Sequence, residues 1–176
     1  MPHHSGPAQG GRTHQTSEKV VVLYGDSHAA QWFPALEKLS RRYGWKLVSL
    51  TKSSYKTADI TTVSSHRLYE ACDTWPKDDP VECAASRPLR LRGCEPDQRD
   101  AVKDPTRREA GRQGARRAGA AVVDPRPWLC PRSGGCPVAV GDTFVYRDES
   151  HLAESYVEAL APVLRQELRK QGVTGD

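Results

Sequence analysis

Three polar residues, one near the start of the chain and two near its end, are of the types that nucleophilic catalysis by serine requires. Ser27 comes shortly after an aliphatic run, in the stretch VVVLYGDSHAAQW, and Asp148 and His151 lie three residues apart near the other end. A serine hydroxyl attacks when a histidine takes its proton, and a carboxylate on the second ring nitrogen holds that histidine in the correct tautomer. The pattern predicts acyl transfer through Ser27, with His151 as the base and Asp148 as its orienting partner.

Each half of this pattern also has an ordinary structural explanation. Ser27 or Asp26 would serve as the N-cap of a helix, and Asp148 would cap the last helix beside a polar loop. By itself the G-D-S tripeptide does not distinguish a cap from a nucleophile, and a lone D-x-x-H is a weak motif. The two motifs together are more specific, because each stands at a junction between a strand and a helix.

The residues around Ser27 follow a strand, helix, strand pattern. Residues 19–24 form a continuous aliphatic run, which predicts a strand of a parallel sheet that is buried on both faces. Residues 29–43 carry apolar side chains at helical spacing, and the regular helix is expected to begin near Phe33. Residues 45–51 predict a second strand. Such a unit places Ser27 at the carboxyl end of a parallel strand, where open α/β sheets bind their ligands.

The elements around Asp148 and His151 are shorter. Residues 120–123 predict a brief buried strand, and residues 142–146 predict another. The D-x-x-H motif follows, and the last element is a helix over about residues 152–170 that Pro162 is expected to bend. Its predicted apolar face consists of Leu152, Tyr156, Leu160, Val163, Leu164 and Leu168.

The middle of the chain, residues 73–119, lacks the patterns of a folded core. Large apolar residues are sparse there, and Pro, Arg, Asp and Gly dominate. We therefore expect a poorly ordered, Arg-rich segment with one helical piece over residues 104–118. The arginines would suit a nucleic-acid binder, but no aromatic residue lies among them to stack a base, so a solvated segment is favoured and no nucleic-acid partner is expected.

The composition limits the class of protein. The 176 residues are 37% hydrophobic and 27% charged, with a formal net charge of +4. This length fits one domain, predicted over residues 19–172 behind a polar, disordered lead-in at residues 1–18. No run of about 18 apolar residues is present, so no transmembrane segment is expected, and no hydrophobic signal-peptide core is visible. The histidines outside the motifs have no metal-ligand spacing, so neither a metal nor a cofactor is predicted.

The five cysteines indicate disulfide bonds. Cys83 with Cys94, and Cys130 with Cys136, are spaced like local staples, and such pairs are typical of an oxidising compartment. Structural zinc is the alternative, but C-x-x-C knuckles and histidines at matching spacing are absent. An odd count leaves one thiol over, and Cys72 is the expected one.

GDSH after the first strand, together with D-x-x-H before the last helix, resembles the SGNH (GDSL-like) hydrolase superfamily. The resemblance is closer still to the SGNH domain fused behind a multi-pass membrane acyltransferase of the kind that O-acetylates bacterial cell-surface glycans. The implied fold is α/β, a three-layer α/β/α sandwich with a small, mostly parallel, flavodoxin-like sheet. The similar stretches are VVLYGDSHAAQWFPAL, WKLVSLTKSS, AAVVDPRPWLCP, CPVAVGDTFVYRDESHL and the helix after it.

The resemblance implies a role for each site residue. Ser27 would be the nucleophile and, through its backbone N–H, one oxyanion donor, while His151 would be the base and Asp148 its orienting partner. Asp26 and His28 flank the serine and are candidates for substrate contact, with a surface histidine at a helix N-terminus as the alternative for His28. The implied partners are an acyl donor, a carbohydrate acceptor and a membrane acyltransferase module, at the extracytoplasmic face of the bacterial membrane, with the cytoplasm as the alternative.

The chain departs from the family pattern in its middle. Relatives carry further central strands there, whose loops supply a Gly and an Asn to the oxyanion hole, and this sequence contains no asparagine. We therefore expect an internally shortened domain that lacks central strands. Two hypotheses stay open beside nucleic-acid binding: a serine esterase or O-acyltransferase, and a remnant without turnover, since each lost oxyanion donor costs on the order of 10²–10³ in rate.

Overall fold

The computed structural model describes residues 17, 19–51, 79–98, 105–117, 119, 122–131 and 135–173. The chain divides into two compact units, Met1–Thr62 and Val63–Asp176, and the prediction of one domain over residues 19–172 stays a prediction. The mixed α/β class with a small parallel sheet is confirmed. The elements of the described residues are β1 (Val20–Gly25), α1 (Ser27–Ala30), α2 (Phe33–Tyr43), β2 (Lys46–Thr51), α3 (Pro80–Ser86), a 3₁₀ helix (Leu91–Cys94), α4 (Pro105–Arg117), α5 (Arg126–Leu129), β3 (Ala139–Val140), β4 (Thr143–Phe144), α6 (Glu154–Ala159) and α7 (Ala161–Lys170).

The N-terminal unit is the predicted strand, helix, strand unit. β1 and β2 pair in parallel, in a register that runs from Val20 opposite Lys46 to Gly25 opposite Thr51. α2 begins at Phe33 and ends where Gly44 adopts a left-handed conformation with φ of 70°, a conformation that costs glycine little. The predicted start and stop of this helix are therefore confirmed.

The two faces of this small sheet differ in exposure. Successive strand residues point to opposite faces, and Leu47 is buried, as are Leu36 and Leu39 of α2, a helix that contacts β2. On the opposite face Val20 and Val22 are 51% and 54% exposed. The prediction that the first strand is buried on both faces is therefore wrong for the described structure. An aliphatic run indicates that a strand favours burial, but it does not indicate which element covers each face.

The C-terminal unit contains both predicted disulfide bonds. Cys83 pairs with Cys94, eleven residues later, and Cys130 pairs with Cys136, six residues later. The first bond ties α3 to the 3₁₀ helix, and Asp79 caps α3 by accepting from the Val81 N–H at 2.7 Å. Cys72 lies outside the described residues.

The middle segment contains more regular structure than its composition predicted. The expectation of a poorly ordered stretch is wrong for residues 80–86 and 91–94, which are helical because a cap and a disulfide bond support helices too short to be stable alone. The helical piece predicted over residues 104–118 is found as α4. The strand predicted over residues 120–123 is not found at Val122 and Val123, which lie outside any strand.

The end of the chain is a hairpin followed by two helices. β3 and β4 pair antiparallel, with Gly141 in the turn at φ of 62°. The single helix predicted over residues 152–170 is instead two helices, α6 and α7, separated at Leu160. Pro162 has no N–H to donate to the preceding turn, so it does not continue α6. It lies instead in the first turn of α7, where no intrahelical donor is needed. Five residues of its predicted apolar face are buried, whereas Val163 is 38% exposed.

Gly135 joins the two disulfide-bonded segments and leaves no room for a side chain. It bridges Asp97 in antiparallel fashion, and a Cβ at this position would lie 2.9 Å from Glu95 Cβ and 3.3 Å from the Pro96 carbonyl oxygen. We expect Gly135→Ala to lower the free energy of unfolding by about 1–3 kcal/mol, the usual cost of overpacking, in urea denaturation.

Gly114 provides the matched control for this substitution. It lies inside α4, and a Cβ at this position would have no neighbour within 4 Å outside the helix backbone. Gly114→Ala is therefore expected to stabilise the protein by about 0.5–1 kcal/mol, because alanine loses less backbone entropy in a helix. Equal effects of the two alanines would contradict the close approach at Gly135.

Candidate active site

The Ser27 side of the candidate site is a tight turn between a strand and a helix. β1 ends at Gly25 and Ser27 is the first residue of α1. Asp26 is the N-cap, since its carboxylate accepts the His28 N–H at 2.9 Å. Asp26 therefore fills the capping role that the sequence also allowed for Ser27, and capping does not account for a serine at this position.

Asp26 also lies beside the His28 ring, with 3.7 Å between Asp26 Oδ1 and Nδ1. Hydrogen bonding to His28 lowers the pKa of Asp26 below its ordinary value of 3.8, although partial burial acts in the opposite direction. Asp26 is thus an ionised cap that contacts both the backbone and the ring of His28. Substrate contact by either residue stays a prediction.

The other side of the candidate site is a short loop that holds Asp148 against His151. His151 Nδ1 lies 3.0 Å from both carboxylate oxygens of Asp148. The same carboxylate accepts the backbone N–H groups of His151 at 2.7 Å and of Ser150 at 2.9 Å. An aspartate that accepts from the amides two and three residues later closes a local turn, so the D-x-x-H spacing itself produces this contact.

Buried residues on either side of the loop hold its ends together. Tyr146 and Leu152 form an isolated antiparallel bridge, and the Arg147 N–H donates to the His151 carbonyl at 3.0 Å. Val145 is fully buried and Leu152 is 4% exposed. The ends of the loop are therefore anchored in the core of this unit, which limits the conformations open to Asp148 and His151.

The electrostatics of the loop keep Asp148 ionised. Burial would raise its pKa, but the backbone N–H groups of Ser150 and His151, and then the His151 ring, lower the pKa from its ordinary value of 3.8 to about 2. An ionised carboxylate only accepts hydrogen bonds, so Nδ1 of His151 carries the proton. The neutral ring then has its lone pair on Nε2, the nitrogen that takes a proton from a serine in triad chemistry.

Two residues near Asp148 and His151, together called the dyad, had no assigned role in the sequence pattern. Ser150 places its Oγ 3.2 Å from His151 Nδ1, and the Arg147 guanidinium lies 3.3 Å from Asp148 Oδ2. Both are neighbours of the motif in sequence, but a D-x-x-H pattern says nothing about which intervening amide or side chain turns inward. The structure brings Asp148 and His151 together, whereas the pairing of Ser27 with His151 stays a prediction.

The lowered pKa of Asp148 predicts a loss of stability in acid. Because the folded pKa lies below the unfolded one, the carboxylate stabilises the fold above about pH 4, and this contribution disappears as the pH falls towards about 2. The side chain is 39% exposed, so solvent screening reduces the contribution to about 1 kcal/mol. In urea denaturation, the free energy of unfolding of wild type should exceed that of Asp148→Asn near neutral pH, and this difference should shrink towards pH 2. A difference that stays constant with pH would contradict the stabilising role of the ionised carboxylate.

A second carboxylate of the C-terminal unit also has a lowered pKa. The hydrogen bond from the Arg126 guanidinium lowers the pKa of Asp124, and Arg112 Nη1 lies 3.6 Å from the same carboxylate. This cluster connects α4 to the start of α5.

Within the described part of the chain, no group of three or more His, Cys, Asp or Glu side chains is arranged to hold a metal ion.

Comparison with known proteins places the chain in a family. The family model described as "SGNH domain (fused to AT3 domains)" matches residues 3–88 and 72–166. Searches of curated proteins and of solved structures gave no match. The family is one of hydrolases and acyltransferases, and the two matched stretches include Ser27, Asp148 and His151. Because they cover most of its length, the chain belongs to the SGNH domain family of the kind fused to AT3 domains.

Proposed function

We propose that this protein is a serine esterase or O-acyltransferase in which Ser27 is the nucleophile, His151 the general base and Asp148 the residue that orients it. The observation that carries the proposal is the Asp148–His151 contact, with Nδ1 at 3.0 Å from both carboxylate oxygens. This contact places the proton on Nδ1 and leaves the lone pair on Nε2, the nitrogen that must accept the serine proton. Membership of the SGNH family supports the same class of chemistry.

The proposed reaction has two steps. Ser27 Oγ attacks the ester carbonyl while His151 Nε2 takes its proton, and the backbone N–H of Ser27 donates to the oxyanion. His151 then returns the proton to the leaving alcohol, which leaves an acyl group on Ser27. In the second step His151 takes the proton of water or of a sugar hydroxyl, whose oxygen attacks the acyl-serine. As the bond between the acyl group and Ser27 Oγ breaks, His151 gives that proton to Oγ, which restores the free serine.

We infer the substrate class and setting from the family. The proposed acyl group is acetyl, the acceptor is a cell-surface glycan, and a membrane acyltransferase module is the partner, in line with the family description that names a fusion to AT3 domains. Two disulfide bonds are typical of an oxidising compartment outside the cytoplasm. Among the described residues, no helix has the length and apolar character needed to cross a bilayer.

A remnant without turnover is the second candidate, and one specific observation favours it. The family model matches in two separate stretches that overlap at residues 72–88, at the start of the segment in which relatives carry the central strands. The sequence also contains no asparagine to act as an oxyanion donor. In this hypothesis the dyad persists but Ser27 does not form an acyl-enzyme.

A fluorophosphonate probe distinguishes the two candidates, because it phosphonylates a serine only when a base activates it. We expect labelling of the folded protein at Ser27, identified by mass spectrometry of the tryptic peptide. Labelling should disappear in Ser27→Ala and His151→Ala and persist in Ser86→Ala, which removes an exposed serine at the end of α3. Unlabelled wild type with a cooperative thermal transition would favour the remnant.

A further inference from the structure

The loop between the two cysteines of the first disulfide bond displays a leucine to solvent. Leu89 is 97% exposed, at the tip of a turn in which the Arg90 N–H donates to the Arg87 carbonyl at 2.9 Å. Pro88 precedes it at the position that turns favour for proline. Turn tips usually carry polar residues or glycine, so the conformation of the turn does not explain why this exposed position is a leucine.

The turn is held rigidly beneath this leucine. The Arg87 N–H donates to the Cys83 carbonyl at 3.0 Å and the Gly93 N–H donates to the Arg90 carbonyl at 3.0 Å. The Cys83–Cys94 bond closes the loop, and Cys94 is 7% exposed. Leu89 therefore cannot withdraw from solvent by a small local rearrangement of its turn.

The leucine is surrounded in sequence by positive charge. Residues 87–92 read RPLRLR, all three arginines are exposed, and the segment has no acidic residue. The ion pairs found among the described residues involve none of these three arginines. An apolar tip within a basic surround is the chemistry that binds an anionic lipid surface, since arginines meet headgroups while the leucine enters the apolar boundary.

We propose that residues 87–92, the Leu89 loop, bind the surface of an anionic lipid membrane. An acidic polysaccharide would also attract the arginines, but it offers nothing to an exposed leucine. A bilayer takes up both kinds of side chain, because its interface places negative headgroups beside hydrocarbon. This surface does not depend on the chemistry of Ser27, and it would hold the domain against a membrane whether or not the serine reacts.

Vesicle sedimentation with the full chain tests the proposal. We expect binding to vesicles of phosphatidylcholine mixed with phosphatidylglycerol, little binding to phosphatidylcholine alone, and weakening as salt is added. Leu89→Ser should weaken binding about tenfold, and Arg90→Gln about fivefold. Val163→Ser, at a 38% exposed helical position, and Arg41→Gln, an exposed arginine on α2, are the matched controls and should bind like wild type.

Three results would overturn the proposal. The first is no binding to the anionic vesicles by a protein whose thermal transition shows that it is folded. The second is binding that Leu89→Ser leaves unchanged, which would make the attraction purely electrostatic. The third is binding to soluble polygalacturonate without binding to vesicles, which would assign the loop to acidic polysaccharides instead.

Discussion

Asp148→Asn should lower kcat/KM for hydrolysis of an activated acetyl ester such as p-nitrophenyl acetate by on the order of 10⁴-fold, the effect of this change in serine triads. The reason is the tautomer of His151. A carboxylate accepts from Nδ1, whereas an asparagine amide can present an N–H to that nitrogen and favour the form whose lone pair is on Nδ1. Nε2 then carries a hydrogen and cannot take the proton of Ser27.

The asparagine variant also separates catalysis from folding. The Asp148 Oδ1 acceptor for the Ser150 and His151 N–H groups, at 2.9 Å and 2.7 Å, is retained in an asparagine carbonyl. The loop should therefore keep its conformation near neutral pH. Asp142→Asn, an exposed change in the turn between β3 and β4, is the matched control and should leave the rate unchanged.

Two outcomes of this experiment would count against the triad. If Asp148→Asn reduced the rate less than tenfold while Ser27→Ala abolished it, His151 would not depend on Asp148 for its tautomer. If the rate were the same in wild type, Ser27→Ala and Asp148→Asn, the hydrolysis would not come from this site. The second result would agree with a remnant that lacks oxyanion donors.

Removing the disulfide bonds should have the largest effect on stability. Cross-links stabilise mainly by restricting the unfolded chain, and the effect grows with loop length. The Cys83–Cys94 bond spans eleven residues and the Cys130–Cys136 bond spans six. We expect the serine pair at the first bond to lower the free energy of unfolding by about 3 kcal/mol, and the pair at the second by about 2 kcal/mol, in urea denaturation.

Reduction of the wild-type protein provides a direct comparison. A phosphine reductant should lower the melting temperature of wild type and should have no effect on a variant that lacks all four paired cysteines. Cys72→Ser is the control, because Cys72 takes part in neither bond. An unchanged melting temperature on reduction would show that the two bonds contribute little, and it would weaken the inference of an oxidising compartment.

Both disulfide bonds lie in the same unit of the chain as Asp148 and His151. The second disulfide lies between α5 and the β3–β4 hairpin, and the hairpin leads directly into the loop of Asp148 and His151. Val145 connects them, since its N–H donates to the Val138 carbonyl and its carbonyl accepts from Ala153, both at 2.9 Å. Reduction is therefore expected to lower activity as well as stability.

Much of the fold and part of the candidate site followed from the sequence by itself. The parallel strands, the start of α2 at Phe33, its end at Gly44 and the interruption near Pro162 were predictable, because each depends on residues close together in the chain. The two disulfide pairs were predictable for the same reason, since a short loop has few ways to pair its cysteines. The Asp148–His151 contact is also local, because an aspartate accepts readily from the amides that follow it.

Only the tertiary structure decided which faces are covered and which neighbours matter. It left Val20 and Val22 exposed, stabilised short helices in a segment of unpromising composition, and turned the Ser150 N–H and the Arg147 guanidinium towards Asp148. It also assigned the cap of α1 to Asp26. The physical reason is that burial and hydrogen-bond partners depend on what packs against a residue, and a periodic pattern records only the preference of a residue, not its eventual neighbour.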